Sequence, residues 1–164
     1  MAVKPSVKTV TATAGIVAAI ALFTSSFEGL RTKAYPDPAG PRIATICYGE
    51  TQGVHFGDTA TPTECLDMLK GSIPKYLDSV DKLMPNLPDN RRIAYADFAY
   101  NAGAGNLTKR RSNIAGTSIV DLERAGKPQE ACHRLTLFDY AGGQRMAGLT
   151  RRRQAEYSLC METW

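Results

Sequence analysis

The residues best equipped for chemistry lie in one glycine-punctuated stretch, from Glu28-Gly29-Leu30-Arg31 through Asp37-Pro38-Ala39-Gly40 to Thr45-Ile46-Cys47-Tyr48-Gly49. It combines two carboxyl groups with a hydroxyl. Cleavage of a glycosidic bond calls for such a set. One acid protonates the leaving oxygen, while a second carboxylate, across the sugar ring, positions water or stabilises an oxocarbenium-like transition state. Glu28 follows an apolar run, where partial burial favours a protonated carboxyl. Asp37 stands between Pro36 and Pro38 in a polar turn, where solvent and backbone donors favour the ionised form. Taken singly, a Glu near a helix end is an ordinary surface residue, and an Asp beside prolines an ordinary turn former. The case for catalysis lies in their combination.

Three phrases carry it: Phe27-Glu28-Gly29-Leu30, Ala34-Tyr35-Pro36-Asp37 and Thr45-Ile46-Cys47-Tyr48-Gly49. In order and near-spacing they resemble the phage-type muramidases, the lysozymes with which phages open bacterial walls. The resemblance covers nearly all of the chain from Phe27 onward. It implies an α+β, lysozyme-like fold with a small β-hairpin lobe (about residues 28–60), a larger helical lobe (about 61–164) and a substrate groove between them. It also implies roles: Glu28 as general acid, and Asp37 with Thr45 as holders of the attacking water, with inversion at the anomeric carbon. The implied substrate is the β-1,4 bond between N-acetylmuramic acid and N-acetylglucosamine in peptidoglycan. The implied enzyme is a monomer that needs no metal or organic cofactor. No residue is singled out for substrate binding. The Glu28-to-Asp37 interval matches the family pattern, whereas Pro41, Arg42, Ile43 and Ala44 make the Asp37-to-Thr45 interval longer. That departure keeps two rivals open: a lytic transglycosylase, which uses one acid and no attacking water, and a non-catalytic wall-binding or membrane-disrupting lysis protein.

The N-terminus must position Glu28. Lys4 and Lys8 precede a stretch from Thr9 to Phe27 with no charged residue. Basic residues ahead of an apolar run orient it with its N-terminus in the cytoplasm, and about 19 residues only just cross a bilayer core. Three readings compete. A cleaved signal peptide finds small residues at Ala18-Ala19-Ile20-Ala21, but cleavage there leaves too little chain to complete the helix before Glu28. A plain amphipathic first helix is opposed by Ile16 to Phe23, which is apolar nearly all round. The third follows from resemblance to the signal-anchor-release endolysins: residues 1–27 export the enzyme, hold it on the host inner membrane through residues 9–27, and later leave the bilayer to join the domain. The enzyme would then occupy the host periplasm, tethered at first. With no linker before Glu28, tethering and inactivity would be one state.

The chain's 164 residues suffice for one domain with a real core, and 43% apolar and 22% charged content is ordinary for a globular protein. A net charge of +4 suits an anionic polymer or membrane surface. Nucleic acid is not expected as a partner, because no basic stripe interleaved with aromatics occurs. No repeat, low-complexity tract or nucleotide-binding glycine pattern occurs either. Cys47, Cys65, Cys132 and Cys160 form an even set that an oxidising compartment allows to pair, with buried free thiols as the alternative. In the resembled fold, Cys47 with Cys65 and Cys132 with Cys160 would join neighbouring elements. No close Cys-x-x-Cys pair occurs, and His55 and His133 read as solvated or packed, so no metal site is expected.

For the scaffold, Gly49, Gly53 and Gly57 break short apolar pieces and predict a hairpin sheet over 45–57. Thr61-Pro62-Thr63-Glu64 predicts a capped helix start, and Pro74 is expected to kink or interrupt that helix. Asp89 is expected to cap a helix that ends at Asn101-Ala102-Gly103. Further helices are expected over 117–126, over 128–140 and from Gly148, the last capped by Thr150. Arg151, Arg152 and Arg153 read as solvated charges, or else as contacts for an anionic partner.

Overall fold

The computed structural model describes residues 7–37, 40–110 and 116–162, with the side chains of residues 7–12 and 41 outside the description. Lys4, the Lys8 side chain, Pro38 and Ala39 therefore lie outside the described residues. The chain is α+β and divides into two compact units, Met1–Pro74 and Lys75–Trp164.

The first unit opens with helix α1 (Val7–Ser25). Ile16, Ile20 and Thr24 are buried at four-residue spacing, with Ala21 beside them, while Leu22 is 61% exposed. This is the one-sided burial that helical periodicity produces, so the all-round apolarity of the segment does not translate into all-round burial. No helix among the described residues is long and apolar enough to cross a membrane. An antiparallel hairpin follows, β1 (Arg31–Asp37) and β2 (Gly40–Cys47). It lies earlier than the hairpin expected over 45–57. Past β2 come a tight turn, in which Ile46 and Glu50 exchange both backbone hydrogen bonds at 2.9 Å, and a single antiparallel bridge of Thr59 to Lys33 of β1.

Helix α2 (Pro62–Leu83) starts as its sequence demands. The Thr61 hydroxyl accepts from the Glu64 amide at 3.2 Å, and the Glu64 carboxylate accepts from the Thr61 amide at 2.6 Å, a reciprocal capping box. The helix runs through Pro74 without interruption. Its buried stripe includes Cys65, Leu69, Ile73, Leu77 and Val80. Around the β2 turn, Ile46, Cys47 and Cys65 form a small core against which Ala34, Tyr48, Val54, Ala60 and Met68 pack.

The second unit packs α3 (Asp89–Ala102), α4 (Ile119–Arg124), α5 (Pro128–Leu135) and α6 (Ala147–Met161), with a 3₁₀ turn at Ala104–Leu107. Asp89 is the first helical residue of α3 rather than its cap. Pro88 occupies the cap, and the Asp89 carboxylate instead accepts from Arg92 at 2.9 Å. Helix α5 stops at Leu135, well short of Tyr140: the Thr136, Leu137 and Phe138 amides turn to carbonyls three residues back, and a second hairpin follows, β3 (Tyr140–Ala141) and β4 (Gln144–Arg145). Gly142 and Gly143 both have positive φ and form its turn, the signature of a two-residue hairpin loop. Thr150 lies inside α6, not at its cap, and its hydroxyl donates to the buried Asp139 at 3.0 Å.

Arg152 and Arg153 are 3% and 1% exposed, contrary to the expected solvation. Arg152 donates to both oxygens of Asp97 at 2.7 and 3.0 Å. Arg153 grips Glu156 at 2.5 and 2.6 Å, donates to Asn101 and the Phe138 carbonyl, and lies over the Phe98 ring. Buried charges persist only when paired in this way. Burial pushes the Glu156 carboxyl well above its ordinary range, with the Arg153 charge opposing that rise.

Disulfides join Cys47 to Cys65 and Cys132 to Cys160, the pairing the resemblance implied. The first fastens the end of β2 to α2, and the second fastens α5 to α6.

Candidate active site

Glu28 sits just beyond the last turn of α1. Its amide and that of Phe27 both donate to the Thr24 carbonyl, at 3.2 and 3.0 Å. The Phe23 and Phe27 rings meet with centroids 5.3 Å apart and brace the same turn. Since Thr24 is fully buried, the half-buried Glu28 hangs from an anchored helix end and not from a free loop.

Asp37 ends β1, and Thr45 lies on β2 opposite Tyr35. The Thr45 hydroxyl donates to Asp37 Oδ2 at 3.3 Å. The hairpin register explains how this contact survives the longer interval. Pro36 pairs with Ala44 and Asp37 with Gly40, so one step along β1 corresponds to four along β2. Pro41, Arg42 and Ile43 are thereby taken up as a bulge, the usual fate of extra residues in a ladder. Thr45 is 1% exposed, so its hydroxyl has an environment in which a hydrogen bond is needed.

Sequence reasoning passed over Glu50. Its carboxylate accepts from the Ser72 hydroxyl at 2.7 Å, across 22 residues of chain. No local signal marks a partner so far away. Other hollows are remote from these groups in the sequence. A mainly apolar one of about 700 Å³ is lined by the ends of α3, α5 and α6 and the Cys132–Cys160 disulfide. None of Glu28, Asp37 and Thr45 is among its lining residues. Among the described residues no cluster of His, Cys, Asp or Glu is arranged to hold a metal.

The phage lysozyme family model matches residues 25–156, which takes in Glu28, Asp37 and Thr45 together. The chain belongs to the phage lysozyme family. It is a wall-cleaving glycoside hydrolase, a muramidase of the endolysin type. The chain is similar to the SAR-endolysin of Pseudomonas phage phiKMV, 33% identical over 155 residues, covering 91% of this chain and 89% of that one. The crystal structure of the active form of the P1 phage endolysin Lyz superimposes with a TM-score of 0.73 at 26% identity, over 87% of this chain and 83% of that one. The secreted inactive form of Lyz matches less well, with a TM-score of 0.51 over 67% of this chain and 74% of that one.

Proposed function

We propose that this phage lysozyme hydrolyses the β-1,4 bond between N-acetylmuramic acid and N-acetylglucosamine with Glu28 as general acid and Asp37, assisted by Thr45, holding the attacking water. The observation that carries this reading is the Thr45–Asp37 hydrogen bond. The Thr45 hydroxyl orients one oxygen of the Asp37 carboxylate, and an oriented, water-activating carboxylate is what an inverting hydrolase requires. A lytic transglycosylase has no use for such a pair. Residues 28–164 form the catalytic body on this reading, acting on peptidoglycan as a monomer.

The test is Glu28→Gln. It should fold normally and lose lysis of wall suspensions, and substantial residual activity would remove Glu28 from its role. Mass spectrometry of the wild-type products separates the rival, since only a transglycosylase leaves an anhydro sugar.

The N-terminal segment has a proposed second life. Residues 1–27 export the enzyme and tether it to the host inner membrane through residues 9–27, and the folded state with α1 in place is the released, periplasmic enzyme. Two observations support this. The phiKMV relative carries the SAR-endolysin name, and the fold is nearer the active than the inactive form of Lyz. The stripe of Ile16, Ile20 and Thr24 cannot face lipid and the protein interior at once. Withdrawal from the bilayer and completion of the turn that carries Glu28 are therefore one event. A tethered enzyme as active on wall fragments as the released one would refute that coupling.

A further inference from the structure

We infer that Glu50, held by Ser72, is a positioning residue for the Asp37–Thr45 pair. The inference rests on the role proposed above for that pair.

Thr45 owes its place to where β2 ends. One residue on, Ile46 exchanges two backbone hydrogen bonds with Glu50, and the Gly49 amide also donates to the Ile46 carbonyl, at 3.1 Å. Between them Cys47 adopts a positive φ of 60°, a conformation disfavoured for a residue that carries a Cβ. Such a turn persists only where its surroundings over-determine it. Here two links to α2 do so. Cys47 is bonded to Cys65, and the Glu50 side chain accepts from Ser72. Cys65 and Ser72 are seven residues, about two helical turns, apart, and so share one face of α2. The turn is thus pinned at two points along a single helical edge. One link fixes how far the strand end stands from α2, and the two together fix its rotation. That rotation aims the Thr45 hydroxyl across the hairpin toward Asp37 at the end of β1.

The chemistry of the second link argues against a merely stabilising role. Glu50 Oε2 takes the Ser72 hydrogen bond, while Oε1 is buried without a hydrogen-bond partner. A buried carboxylate oxygen left in that state costs folding free energy, and an apolar side chain would serve cohesion better. What a carboxylate adds is a directional contact to one hydroxyl.

The experiment compares Glu50→Ala, Ser72→Ala and Glu50→Gln in the full chain, measuring kcat and KM on wall suspensions together with the urea midpoint. Misplacing a reacting group by a fraction of an ångström to 1 Å costs up to about 100-fold in rate. Glu50→Ala and Ser72→Ala should each lower kcat about tenfold, on that scale, with KM little changed. Glu50→Gln retains an oxygen that can accept from Ser72 and should restore most of kcat. In a Thr45→Val background, Glu50→Ala should add no further loss, because its effect passes through Thr45. Wild-type kcat in both alanine variants, or losses that simply add in the Thr45→Val background, would overturn the positioning role while Glu28→Gln stays inactive. Full activity in Glu28→Gln would instead overturn the reading beneath it. Should Glu50→Ala fail to fold, Ser72→Ala, which removes a single hydroxyl, decides the matter alone.

Discussion

The hydroxyl of Thr45 donates to the carboxylate of Asp37 at 3.3 Å across a hairpin whose two strands keep different counts of residues. The contact is preserved by the bulge at Pro41, Arg42 and Ile43 and not by the spacing of the sequence. A reading based on spacing alone therefore undervalues Thr45.

Removing that donor tests its worth. Thr45→Val keeps the shape of the side chain and removes the hydroxyl that donates to Asp37. Activity in a turbidity-clearing assay should fall about 100-fold, the scale of a misdirected reactive group, with a stability cost of about 1 kcal/mol for the lost hydrogen bond. Thr45→Ser should retain most of the activity.

Leu22 separates the two proposed lives of α1. It is 61% exposed in the folded enzyme, so Leu22→Lys should change the unfolding free energy by no more than about 0.5 kcal/mol. In a membrane span the same substitution costs about 3–4 kcal/mol near the centre, the cost of the lysine plus the lost contribution of the leucine. Fractionation of expressing cells should therefore find the variant lost from the inner membrane, while its urea midpoint matches that of the wild type. Retention equal to wild type would argue against tethering through this segment.

Two carboxyl groups should make the stability depend on pH with opposite sign. The Arg110 fork beside Asp121, with the Ser118 cap, holds the Asp121 carboxyl below its ordinary range. Its contribution is present above the ordinary range and is lost as pH falls through the lower native value. Glu156 is raised by burial, so the native protein keeps that proton to higher pH than the unfolded chain does. Its contribution is full below the ordinary range and is lost as pH rises through the native value. Urea titrations at several pH values should show Asp121→Asn flattening the acid limb and Glu156→Gln flattening the limb above it.

The Cys132–Cys160 link closes a loop with a sequence separation of 28 residues. Replacing both cysteines by serine should lower stability by about 3.6 kcal/mol on the chain-entropy scale. Paired urea melts of the oxidised protein and the variant measure it; reductant should shift both, because the variant keeps Cys47–Cys65, but should shift the parent by more.

What the sequence made legible was mostly local. The Thr61–Glu64 box, the left-handed Gly103 that ends α3 and the setting of Glu28 all depend on residues within a turn or two of each other. The misses were non-local or lay in an overlooked turn. Arg152 looks like part of a solvated triplet until Asp97, 55 residues earlier, is brought against it. Thr150 looks like a cap until Asp139 competes for its hydroxyl. The Tyr140–Arg145 hairpin did have a signal, the Gly142-Gly143 pair, which a continued helical reading overrode. Glu50 had none, because its meaning lies wholly in Ser72.

The Ile16–Ile20–Thr24 stripe sets a limit on protein engineering. A designer who swaps the first 27 residues for a generic export leader discards half of a lock whose other half is the folded body. On the proposed export reading, any substitute must satisfy a translocation machinery and later reproduce three side chains at four-residue intervals, ending one turn before Glu28.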